Sequence, residues 1–141
     1  MDYAISYIFE KPKMAYYFAK TLAISFDDAV RRVIDALTSQ GFGVLTDIDV
    51  QGTLKAKIDI AFRRYRILGA CNPTFAYRAL QAEDKIGAML PCNVVIHEPA
   101  GGDVEVAAVD PVASMQATNN SALASIAEEL REKLRNVIAG L

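Results

Sequence analysis

Apolar and polar positions along this chain repeat with two different periods, and the elements change where the period changes. Tyr3, Ile5, Tyr7 and Phe9 alternate with smaller or polar neighbours (Ile8 excepted), which is the period of a strand. Glu10-Lys-Pro-Lys13 then turns the chain into a second apolar strand over 15–23. From Ser25 the period lengthens. Phe26, Val30, Val33, Ile34 and Leu37 form one face of a helix, with Ser25 as N-cap, Asp28 in the capping-box position, Asp27 in the positively charged first turn, and Gly41 as a left-handed stop. Period two returns over 42–50, with Val44, Thr46, Ile48 and Val50 pointing one way and Leu45, Asp47 and Asp49 the other. Val50, Leu54 and Ile58 stand at helical spacing and predict a short helix over 51–60.

The second half repeats this alternation. On a strand over 64–72, Tyr65, Ile67, Gly69 and Cys71 share one face, and Arg66, Leu68, Ala70 and Asn72 the other. Asn72-Pro73 is a helix start, Asn as N-cap and Pro at the first position, where its missing N–H costs nothing. That helix runs to about Asp84 with Ala76, Ala79 and Leu80 inward. A strand from Leu90 to Ile96 follows, placing Cys92, Val94 and Ile96 with Leu90, and Asn93, Val95 and His97 opposite. Pro91 cannot donate to a ladder, so the strand begins after it or lies at an edge. Pro99 to Asp103 is a hairpin turn, and Val104 to Asp110 returns antiparallel. Asp110-Pro111 stops that strand. After a connection over 111–118, Asn119-Asn120-Ser121 caps a last helix. In it Leu123, Ala127, Leu130, Leu134, Val137 and Leu141 make a seam suited to a sheet or to a symmetry mate, and Glu129 with Lys133 makes an i, i+4 pair.

These elements predict an α+β fold: a two-layer sandwich with a mixed, mainly antiparallel sheet and helices packed on it. Residues 1–13 are read as an N-terminal extension with an extra strand, integral or added, and 14–141 as a single domain. Composition agrees. The 141 residues are 52% hydrophobic and 23% charged, enough for one proper core. A net charge of −2 gives no basic field for nucleic acid or an anionic membrane. The apolar start lacks a basic flank and a cleavage pattern, so it reads as neither signal nor anchor.

Chemistry enters at few places. Two cysteines and one histidine cannot build a disulfide framework or a four-ligand zinc site within one chain, and fit a reducing cytoplasm. G-x-S-x-G, G-x-G-x-x-G, P-loop, H-E-x-x-H and C-x-x-C patterns are absent, so no cofactor or catalytic residue is assigned. What remains is a candidate ligand-binding site at Gly69, Cys71, Asn72, Cys92 and Asn93. A glycine inside a strand marks a close approach to the backbone, by a helix or by a ligand. Cys71 ends its strand at a helix N-terminus, which favours thiolate, whereas Cys92 keeps apolar company. The plainer reading makes both cysteines small hydrophobes of the core. Lys55, Lys57, Arg63, Arg64 and Arg66 gather against Asp59 alone, as an anion site or as a solvated rim. His97, at a hairpin end, is expected to be solvated and receives no role.

The strings Gly41-Phe-Gly-Val-Leu-Thr-Asp-Ile-Asp-Val50, Tyr65-Arg-Ile-Leu-Gly-Ala-Cys-Asn-Pro73 and Leu90-Pro-Cys-Asn-Val-Val95, in that order, resemble the bacterial and archaeal family catalogued as domain of unknown function 302. The similarity runs from about Tyr16 to the C-terminus. It implies a compact α+β sandwich, often dimeric, whose two cysteine motifs Cys71 and Cys92 match, and it supplies no reaction. Two functions are therefore expected as alternatives. One is a non-enzymatic small-ligand-binding or accessory module around Cys71 and Asn72, forming a homodimer. The other is a thiol-dependent redox, sulfur- or metal-handling protein using Cys71 with or without Cys92.

Overall fold

A computed structural model describes residues 15–141; the strand expected over Tyr3 to Phe9 lies outside the described residues. Five strands, β1 (Tyr17–Leu22), β2 (Gly43–Asp49), β3 (Tyr65–Cys71), β4 (Cys92–His97) and β5 (Val104–Val109), form one sheet in the order β1-β5-β4-β3-β2. Every pairing is antiparallel. The helices are α1 (Phe26–Ser39), α2 (Val50–Ile58), α3 (Pro73–Ala82), the short α4 (Pro111–Met115) and α5 (Ala124–Ala139), with 3-10 turns at Ile86–Met89, Gln116–Thr118 and Ser121–Leu123. The α+β two-layer sandwich is the one the pattern predicts. The mixed sheet expected is, among the described residues, antiparallel at every pairing.

The first crossover sets the architecture. β1 and β2 are consecutive in the chain yet occupy opposite edges of the sheet, so α1 must cross its whole width. Its caps hold it in place for that. The Ser25 side chain accepts the Asp28 N–H at 3.1 Å, and at the other end Phe42 N–H reaches Leu37 O at 2.9 Å while Gly41 N–H reaches Thr38 O at 3.0 Å. With Gly41 at φ +84 and both Leu37 and Phe42 buried, this is a Schellman stop with its hydrophobic contact.

Strand alternation divides the sheet into two unlike faces. Phe18, Leu22, Leu68, Ala70, Cys92, Val94, Ile96, Val104, Val106 and Ala108 point to one face, all buried under the helices. Against them pack Val33 and Leu37 of α1, and Ala127, Leu130, Leu134, Val137 and Ile138 of α5. The expected α5 seam therefore lies on its own sheet. Lys20 interrupts the apolar row, and its Nζ donates to the carbonyls of Ala139 (3.2 Å) and Leu141 (2.7 Å), satisfying the open end of α5 with a cation. Asp110, 2% exposed, accepts the Val112 N–H at 3.0 Å to cap α4 and faces Arg131 of α5 at 3.5 Å.

Several local expectations change. A bulge between Val44 and Thr46 breaks the period of β2, so Val44 packs on the core while Thr46 and Ile48 fall on the opposite face. In α3 the buried stripe is Phe75 and Ala79, with Leu80 exposed, because α3 meets α5 rather than the sheet. Asn120 caps the 3-10 turn ahead of α5 by accepting the Ala122 N–H at 2.9 Å, and its amide donates to Ala82 O at 2.9 Å. Glu129 pairs across to Arg78 at 3.1 Å, while Lys133 lies over the Phe75 ring instead of pairing with Glu129. The predicted α2 forms, capped by Asp49 on the Gly52 N–H at 3.0 Å, yet none of its residues is buried.

Candidate functional site

The residues singled out from sequence meet at the Cys71 end of the sheet, on both of its faces. Register pairs Gly69 with Asn93 and Ala70 with Cys92. Gly69, Cys71 and Asn93 therefore belong to the face opposite α1 and α5, and Cys92 to the one those helices cover. The close approach that Gly69 foretold is made by the chain itself. A Cβ there would collide with the Thr46 hydroxyl and stand 2.7 Å from Cγ of Pro91. Asn72 occupies the N-cap position of α3, but its side chain makes no capping bond, and its Nδ2 lies by Gly41. Asn72 O still accepts the Ala76 N–H at 2.9 Å.

Both cysteines are free thiols, Cys71 half-buried and Cys92 buried. Burial pushes the Cys92 thiol up to about 11, with the neighbouring Cys71 adding to the rise. The space between Cys71, Asn72, Phe75, Pro91 and Cys92 is about 10 Å³, room for no more than one water. Among the described residues no group of three or more His, Cys, Asp and Glu side chains is placed to hold a metal ion.

The cationic run separates into individual partnerships. Lys55 pairs with Asp59 at 2.5 Å, Arg64 with Asp27 at 2.8 Å, and Arg66 grips both Asp47 oxygens, its Nε at 2.8 Å. The Asp47 hydrogen bonds hold the Arg66 guanidinium above its ordinary value. Arg63 instead lies over the rings of Phe62 (4.5 Å) and Tyr65 (5.6 Å). Most of this run is thus occupied by its own acids and rings, the arrangement of a solvated rim.

A larger hollow lies on the face of the sheet opposite α1 and α5. It encloses about 430 Å³ and is walled by Tyr16, Tyr17, Tyr65, Val95, His97 and Ala107, with Asn93, Glu105 and Val109 completing the lining. Register explains the grouping. Tyr65 pairs with His97 and His97 with Glu105, so these three side chains form one row across β3, β4 and β5. His97 Nε2 and Glu105 Oε1 are 2.8 Å apart. A carboxylate can only accept, so Nε2 carries the proton and donates. The Tyr65 ring packs on the imidazole at 5.2 Å between centroids, and Tyr16 and Tyr17 meet edge-to-face at 5.3 Å.

His97 is therefore not the solvated hairpin-end residue expected: its side chain is 14% exposed, and its Nδ1 is buried without a hydrogen-bond partner. The signal was present in the sequence. His97 and Glu105 flank the predicted Pro99 to Asp103 turn at strand period, which places both on the face of Val95; that Tyr65 joins them follows only from the β3–β4 register. A second hollow of about 350 Å³, between Met115, Asn119, Ala124 and Glu128, lies where α4 meets α5. Asn120 at its edge is already committed to Ala82, Glu83 and Ala122, and its lining offers no convergent charged group.

Comparison with known proteins follows this geometry. The family model described as "Domain of unknown function DUF302" matches residues 18–141. The fold is similar to the crystal structure of an uncharacterized conserved DUF302 protein from Bacillus stearothermophilus, with a TM-score of 0.82 at 25% sequence identity over 88% of this chain and 96% of that one. Among curated proteins no significant match is found.

Proposed function

The chain belongs to the DUF302 family, and from that premise we propose that it is a non-enzymatic small-ligand-binding module whose ligand sits on the face of the sheet opposite α1 and α5. The observation that carries this reading is the hollow of about 430 Å³, of the size of ligand sites, lined by tyrosine rings and by the polar residues His97, Glu105 and Asn93. Of the residues singled out from sequence, Asn93 lines it, while Gly69 is covered by Thr46 and Pro91. Cys71 and Asn72 lie beyond its end, and the 10 Å³ beside them favours a packing role. The alternative, thiol chemistry at Cys71 with or without Cys92, has weaker support, because the space beside both thiols is about 10 Å³ and burial raises the Cys92 thiol.

The test is an amide spectrum recorded with a mixture of small neutral, anionic and cationic probes. Shifts clustering on Tyr65, Asn93, Val95, His97 and Ala107 are expected. Shifts confined to the α4–α5 hollow, or none with any probe, would overturn the reading.

We propose further that the module works in the cytoplasm as a homodimer. Among the described residues β2 is an edge strand, with Leu45 67% and Ile48 48% exposed, and an edge flanked by apolar side chains favours pairing with another copy. Light scattering that returns the 15.4 kDa monomer across micromolar concentrations would contradict it. No helix among the described residues is long and apolar enough to cross a membrane.

A further inference from the structure

We infer that the ligand class of the sheet-face hollow is a small organic cation of the alkylammonium type. The inference rests on the ligand-binding reading above and narrows it. Tyr16 and Tyr17 at one end and Tyr65 toward the other supply electron-rich rings to its wall, and Glu105, in the row of Tyr65, supplies a carboxylate. Among the described lining residues none is Lys or Arg. Aromatic faces attract cations through the ring quadrupole, most strongly where water is displaced. The molecule already displays this attraction at the rim, where the Arg63 guanidinium lies over Phe62 and Tyr65. Glu105 gives one oxygen to His97, and among the described residues its Oε2 accepts no hydrogen bond from protein, which leaves it for a bound cation. An anionic ligand would meet that same carboxylate, while the Arg63 guanidinium at the rim is already engaged with Phe62 and Tyr65.

Three probes of one shape separate charge from fit: choline, its neutral carbon isostere 3,3-dimethylbutan-1-ol, and the anion pivalate. Titrations followed by the amides of Tyr65, Asn93, His97 and Ala107 are expected to give choline the tightest binding, about tenfold over the neutral isostere, with pivalate weakest. Glu105→Gln should weaken choline several-fold and leave the isostere unchanged, Tyr65→Leu should weaken choline more than the isostere, and Tyr65→Phe keeps the ring and the affinity. Circular dichroism of each variant confirms that the sheet persists. Equal binding of choline and the isostere, or tighter binding of pivalate, overturns the cation assignment while the ligand-binding reading stands. Failure of all three probes to shift these amides overturns the cation assignment as well, and the broader probe mixture then decides whether the hollow binds anything.

Discussion

The same five strands present two faces that solve different problems. Toward the helices they show Leu68, Val94, Ile96, Val106 and Ala108, each essentially without exposed surface. Toward the other side they show Tyr65, Val95, His97, Glu105 and Ala107, half-buried, with polar atoms among the rings. Alternation at period two makes the two sets nearly independent, since neighbouring residues on one strand never share a face. One face can therefore be optimised for stability and the other for contact with something outside the fold. His97 and Glu105 pair across β4 and β5 on the second face, as polar residues on the open side of an antiparallel sheet do, and the proposed ligand site would give that pair a further role.

The comparison is broken most sharply by truncation on each face. Leu68→Ala or Ile96→Ala should cost about 2–5 kcal/mol in urea denaturation, because the cavity forms under rigid helices; Val95→Ala on the other face should cost less than about 1 kcal/mol. Equal losses would mean that the second face is core too. Gly69→Ala comes next, with an expected loss of about 1–3 kcal/mol, since the new methyl meets Thr46 and the Pro91 ring. A neutral or stabilising result would show that the space was never filled.

The cysteines sharpen the contrast by pH. Cys92 stands at about 11 in the folded chain against an ordinary value of 9.0. Below pH 9 both folded and unfolded chains hold the proton and nothing changes. Between pH 9 and 11 the unfolded chain ionises first, so stability falls as pH rises, by on the order of 2 kcal/mol, and Cys92→Ala removes that part of the alkaline loss. At neutral pH, alkylation of the native protein should reach half-buried Cys71 before Cys92. Cys92 reacting first would reverse the assignment of faces. The smallest effect is expected in α2, where nothing is buried: Leu54→Ala should change stability by less than about 0.5 kcal/mol.

The covered face was legible in the sequence because burial writes itself as periodicity. Ser25, Gly41, the Asn72-Pro73 junction and the α5 seam carry that signal along a single element. The register of β3 against β4 follows from no single segment, and it decides which alternate residues become neighbours. The bulge at Leu45 is invisible for a related reason, since Val44 and Thr46 look like one row until β3 is beside them. The candidate site was only partly legible. Gly69 correctly announced a close approach, but the approaching groups, Thr46 and Pro91, come from two other segments. His97 looked isolated in the chain, whereas its partners Tyr65 and Glu105 reach it only by pairing across strands.

The division of labour between the faces is tested most directly by one urea-denaturation series, wild type and Tyr65→Leu, each with and without choline at ten times its wild-type dissociation constant. Ligand that binds only the folded chain should stabilise the wild type by about 1.4 kcal/mol. Tyr65→Leu should start within about 1 kcal/mol of the wild type and, binding choline several-fold more weakly, gain only about half that increment. A variant that loses several kcal/mol at the outset and still gains the full increment from choline would contradict the account, because Tyr65 would then serve the fold and not the ligand.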